Sequence, residues 1–176
     1  MKHILFLALL FMQLGAAGQS VQWRADKTKS YIKYYAKHAV HAWTGISKDV
    51  SCVVQVSGKG EVEKVAATSK LKSFDSENSN RDSHMLEITD ALTYPSINFY
   101  STSIVKRDAE YTVRGVLAFH GVEKNIEFKM KEETAGKERR FRGEFNFLLE
   151  DFSVERPTLF LVKTDNEVKV ELFIVF

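Results

Sequence analysis

The chain has 176 residues, 44% hydrophobic and 12% aromatic, with 25 Lys and Arg against 23 Asp and Glu. That length makes one ordinary domain with a sizeable core, and near-balanced, dispersed charge excludes the basic footprint a nucleic-acid partner needs. Cys52 is the only cysteine, so no internal disulfide holds the fold; it reads as a buried thiol acting as a small hydrophobe, with an intermolecular disulfide or redox role as the other reading.

Lys2 and His3 open the chain, Ile4 to Leu14 is nearly all apolar, and Gly15-Ala16-Ala17-Gly18 supplies small residues. This is the layout of a signal peptide over residues 1–18, too short to span a bilayer, with a mature domain over 19–176. A periplasmic or secreted protein is expected. No later stretch is long and apolar enough to be a transmembrane segment.

The rest reads as mainly β. Trp23 starts a short strand that turns at Asp26-Lys27-Thr28-Lys29. Ile32, Tyr34 and Ala36 then share one face, with Lys33 and Lys37 on the other. Cys52, Val54 and Val56 form the next such face, and Val65, Ala67, Ser69 and Leu71 another. A short helical insert follows, with Ser79-x-x-Asp82 as its cap and Met85, Ile88, Ala91 and Leu92 at helical spacing. Tyr94-Pro95 stops it, because the residue before proline avoids the α region.

Period two then resumes. Its inner faces are Ile97, Phe99 and Ser101; Val113, Gly115, Leu117 and Phe119; Ile126, Phe128 and Met130; Phe141, Gly143, Phe145, Phe147 and Leu149; and Val168, Val170, Leu172, Ile174 and Phe176. His120-Gly121 is a tight connection that exposes His120. Pro157 to Val162 is either part of a strand or an apolar flap over a barrel mouth. About eight strands at regular spacing predict a single antiparallel barrel or a sandwich.

The aromatic inner face, with Tyr34, Phe99, Phe119, Phe128, Phe145 and Phe147, is the first candidate site. A small barrel either fills with side chains or keeps room for one ligand, and alternation alone leaves both open. Ala36, Ala67, Ser69, Ser101, Gly115 and Gly143 lean toward a cavity. His38, His41 and His84 lack the spacing of a metal site, since i and i+3 on a strand point apart unless the chain bends. Arg81-Asp82-Ser83-His84 cannot form a triad within one helical turn. Arg81 and Asp82 are expected to pin the insert to the barrel through charge-assisted hydrogen bonds. No catalytic constellation is found, so the chain is not read as an enzyme.

Three segments carry a resemblance. Ser30-x-Ile32-x-Tyr34-x-x-Lys37-His38, the stretch Asn78-x-x-Arg81-Asp82-x-His84-Met85 with Tyr94-Pro95-x-Ile97-x-Phe99-x-Ser101, and Gly115-x-Leu117-x-Phe119-x-Gly121-Val122-x-Lys124 together resemble the YceI-like family. Ala39 to Gly45 and Asp151 to Pro157 depart from its pattern. The resemblance implies a lipocalin-like β-barrel that carries or sequesters a long-chain lipid, polyisoprenoid or isoprenoid quinone, with no other cofactor, and often as a homodimer. It places Ile32, Tyr34, Ala36, Phe99, Leu117, Phe119, Phe128, Phe145 and Phe147 along the ligand. Arg81, Asp82, His84 and His38 become the headgroup site or structural clamp. The competing reading is a filled barrel that serves as an envelope interaction module without a lipid.

Overall fold

A computed structural model describes residues 20–159 and 161–176; the leader expected at 1–18 lies outside them. Alternation builds one curled antiparallel sheet of eleven strands rather than about eight. The first strands are β1 (Val21–Arg24), β2 (Tyr31–His38), β3 (His41–Ser47), β4 (Val50–Val56), β5 (Val62–Lys70) and the two-residue β6 (Phe74–Asp75). After the helix α1 (Ser79–Ile88) come β7 (Ser96–Arg107), β8 (Glu110–Phe119), β9 (Val122–Ala135) and β10 (Glu138–Leu148). β11 (Thr158–Leu159) and β12 (Val162–Lys163) form a separate small hairpin, and β13 (Glu167–Val175) is the last strand in the chain. The short strand expected at Trp23 is β1; the strands not read from the sequence are β3 and the two-residue β6, which is too short to show a period.

The strand order is β1-β4-β5-β7-β8-β9-β10-β13-β2-β3-β6. The last strand therefore inserts between β10 and β2 and joins the N-terminal hairpin to the long C-terminal meander. The ladder itself does not close. Its ends are tied instead by Ser47 Oγ, 2.9 Å from Ser69 Oγ and 2.7 Å from Ser73 Oγ, and by Asp26 N–H donating to the Val175 carbonyl at 2.8 Å.

Most inner faces follow the expected phase, but it shifts at Glu63 of β5, where Val62 rather than Glu63 faces the cavity, and again on β7. Thr102 is a bulge between Ser101↔Gly115 and Ser103↔Arg114. The extra residue turns Ile104 inward opposite Val113, where a strict period would put Ser103. His120 (φ 51°) and Gly121 (φ 73°) make the two-residue turn between β8 and β9, with the positive dihedrals a tight hairpin needs. His120 is half-buried rather than exposed: its Nδ1 lies 2.9 Å from the Phe152 carbonyl and its ring stands edge-on to Tyr94.

The two ends differ in construction. At one, the turns are short and a plug closes the sheet. Arg139 packs over the Trp23 ring at 4.8 Å, pairs with Glu132 and donates from Nη1 to the Gly60 carbonyl at 2.8 Å. Tyr111 and Lys106 complete the cluster, 3.0 and 3.3 Å from Glu132 Oε2. At the other end emerge the β2–β3 tip, the 71–95 insert, the β8–β9 tip and the 149–166 connection. There Leu71, Leu117, Phe119, Phe152 and Val154 form a second buried cluster that seats Met85, Leu86 and Ile88 of α1.

Candidate functional site

Between these ends lies a cavity of about 610 Å³, within the range of roughly 300–1,000 Å³ usual for ligand pockets. Each strand from β2 to β5 and from β7 to β10, with β13, sends side chains into it. Ile32, Tyr34, Ala36, Phe99, Leu117, Phe119, Phe128, Phe145 and Phe147 all line it, as do His38, Arg81 and His84. Asp82 does not. Exposed His41, Asn78, Asn80, His84 and Thr158 are also on the wall, so the cavity meets solvent under α1 and the β11–β12 hairpin.

Not every small inward residue leaves room. A Cβ on Gly115 would meet the Phe99 ring at 2.4 Å, and one on Gly143 the Met130 Sδ at 2.2 Å. Those glycines are spaces already taken by a neighbour's side chain. Ala36, Ala67 and Ser69 do face the cavity.

The inner wall is strongly desolvating. Cys52 lies on it, and burial pushes its thiol up to about 12, which keeps it protonated and unreactive. Burial also raises Tyr34, helped by the charge of Asp82 and opposed by Trp43 and Arg81. The Tyr34 hydroxyl has no hydrogen-bond partner among the described residues.

The mouth is built by α1 and two hairpins. The helix is capped by Asn78, not by Ser79: Asn78 Oδ1 accepts the Arg81 N–H at 3.0 Å, the usual N-cap geometry. It ends at Ile88, with Thr89 capping and Asp90 at φ 42°. Leu92 therefore falls outside the helix and is exposed, while Leu86 takes the inward place.

Buried Ser76 is the hub of the insert. Asp82 accepts its N–H at 3.2 Å and its hydroxyl at 2.5 Å. Arg81 donates to the Ser76 hydroxyl at 2.9 Å and carbonyl at 2.7 Å, and its guanidinium lies 5.7 Å from the Trp43 ring centre. The neighbouring charges thus separate. Asp82 ties the helix to its own entry strand behind the wall, whereas Arg81 also faces the cavity.

The chain does bend between His38 and His41, through the two-residue turn Ala39-Val40, and the rings lie 5.9 Å apart. The Val40 N–H points at His38 Nδ1 (3.5 Å), which leaves the ring proton on Nε2, 3.0 Å from the Val162 carbonyl. His38 thereby fastens the β11–β12 hairpin to the barrel. No group of three or more His, Cys, Asp or Glu among the described residues is placed to hold a metal ion.

Sequence reasoning missed Asn78 and Asn80 on the wall, and used Trp43 only as a departure from a pattern. The Asn78 cap was readable: it stands three residues before Arg81, ahead of the helical spacing. Ile104 was hidden by the bulge.

A YceI-like domain family model matches residues 23–176. Protein YceI of Salmonella agona (strain SL483) is 25% identical over 159 residues, covering 85% of this chain and 83% of that protein. The crystal structure of Burkholderia cenocepacia BcnA superposes with a TM-score of 0.78 at 21% identity, covering 86% of this chain and 99% of that one. The structure of a polyisoprenoid binding domain from Saccharophagus degradans implicated in plant cell wall breakdown gives 0.68 at 15% identity, over 89% and 98%. At these identities the structural matches carry the fold.

Proposed function

The chain belongs to the YceI-like family, and from that premise we propose that it is an exported, non-catalytic protein that holds a long apolar lipid, a polyisoprenoid or isoprenoid quinone, in its barrel. The observation that carries this reading is the cavity of about 610 Å³, apolar along its depth and polar only at its mouth. Burial of each methylene there is worth about 0.8 kcal/mol. Several isoprene units would offset an association cost of roughly 4–15 kcal/mol without any covalent chemistry. The polyisoprenoid binding domain among the structural neighbours supports the same ligand class. Arg81, with His84 and His41 beside it, is where a polar or anionic headgroup would sit.

The test is mass spectrometry of the native, unstripped protein. We expect an adduct of prenyl or alkyl lipid mass that organic solvent removes. Ala67→Phe adds a ring to the cavity wall between Cys52 and Phe99. That variant should fold and lose the adduct. A wild-type protein that carries no lipid and takes up none when supplied would sink the carrier reading in favour of the interaction module.

A further inference from the structure

We propose that the paired tips of the β2–β3 and β11–β12 hairpins dock one rim of the cavity mouth on an anionic lipid surface. This goes beyond lipid carriage, since a barrel could hold a lipid without ever touching a bilayer.

Three observations meet at this rim. The first is exposure of large apolar side chains at the tips: Val40 is 68% exposed, Leu161 98% and Val162 46%. The tips form one unit. His38 Nε2 lies 3.0 Å from the Val162 carbonyl, and Asp165 N–H donates to the Lys37 carbonyl at 2.9 Å. Apolar groups presented together at a mouth mark contact with a partner or a membrane.

The second is backbone strain. Leu161 sits at φ 64°, a left-handed conformation that a bulky residue rarely adopts. An almost fully exposed side chain gains no packing in return. Asn would occupy that conformation more easily, so local backbone preference does not account for Leu at this position.

The third is charge. Lys37 and Lys163 are exposed beside these tips, and neither makes an ion pair among the described residues. Apolar tips flanked by lysine match the interface of an anionic bilayer, where apolar groups enter the headgroup layer and lysines meet its negative potential. Across the mouth, Leu92 is 99% exposed but stands near Glu87 and Asp90, whereas on the hairpin side Lys37 and Lys163 outnumber the exposed Asp165.

The experiment is vesicle flotation of the mature protein with phosphatidylcholine alone and with phosphatidylcholine containing phosphatidylglycerol. Wild type should float with the mixed vesicles, less so at high salt. Leu161→Asn should keep or raise thermal stability yet weaken flotation about ten-fold. Lys37→Gln with Lys163→Gln should erase the preference for phosphatidylglycerol, about five-fold for each lysine. Val105→Ser, on the barrel's outer wall, should change nothing. Wild type that ignores both vesicles overturns the proposal, as does Leu161→Asn floating like wild type. Self-association that these variants abolish, without flotation, would assign the tips to a second copy of the chain and overturn it too. Lipid content by mass spectrometry is read separately, so an empty barrel that still floats counts against the carrier reading alone.

Discussion

The closed end and the mouth solve opposite problems with the same kinds of side chain. At the closed end Arg139 spends every contact on structure: the Trp23 ring, Glu132, Tyr111 and the Gly60 carbonyl. At the mouth Arg81 has a comparable set, the Trp43 ring and two bonds to Ser76, yet keeps a face on the cavity. Both are an arginine over a tryptophan. The difference lies in what surrounds them. Short turns and an acidic partner shut one end; long connections leave the other open. A barrel of this kind keeps its stability at one pole and its chemistry at the other.

The comparison breaks first at Arg139. Arg139→Met leaves the largely buried Glu132 with only Lys106 and Tyr111 to balance it, a loss bounded above by the about 3–5 kcal/mol of stripping a buried charge of its partner. Chemical denaturation should show that loss with lipid mass unchanged; a stable variant would mean the plug is ornamental. Next comes Asp82→Ala, which strips two bonds from Ser76. Hydrogen bonds to charged groups are worth about 1.5–3 kcal/mol, and limited proteolysis should accelerate near Ser79 while the bound lipid stays the same. Arg81→Gln sharpens the contrast, because it should change the headgroup distribution of the co-purified lipid more than it changes melting temperature.

The smallest effect is on pH dependence. Burial works against the charged form of Glu132, but hydrogen bonds from Arg139 and Tyr111 and the nearby Lys106 hold its carboxyl below the usual carboxylate range. A depressed native value stabilises the fold above the unfolded value, about 4.3, and that contribution disappears as pH falls through the native one. Melting temperature should therefore drop on acidification. Glu132→Gln should lower the neutral plateau and flatten that acid limb; an unchanged limb would place the acid sensitivity elsewhere.

How much of this could be read from the sequence follows from period. Phe99, Phe119, Phe145 and Phe147 repeat at two, and the sheet puts each of them inside. What period two cannot report is volume. Gly115 and Gly143 read as gaps, but Phe99 and Met130 from adjoining strands lie over them. Phe119 reads as cavity wall, yet it also packs against Phe147 and Phe152 at 5.8 and 5.6 Å. Phe119→Trp would overpack that cluster, at about 1–3 kcal/mol, whatever the cavity holds. For that reason Ala67 is the better probe. The mouth was least legible, because its geometry comes from hydrogen bonds between connections far apart in sequence, such as His38 to Val162. No local pattern encodes those.

The open ladder has a mechanical consequence. A closed ring of strands is a hoop: to widen it, a whole row of main-chain bonds must part together. Here the circumference is fastened by a clasp, with Ser47 bonded to Ser69 and Ser73 at one point and Asp26 to Val175 at another. Each such neutral bond is worth only about 0.5–1.5 kcal/mol net. A guest of greater girth can spring the clasp while every rung of the ladder stays made.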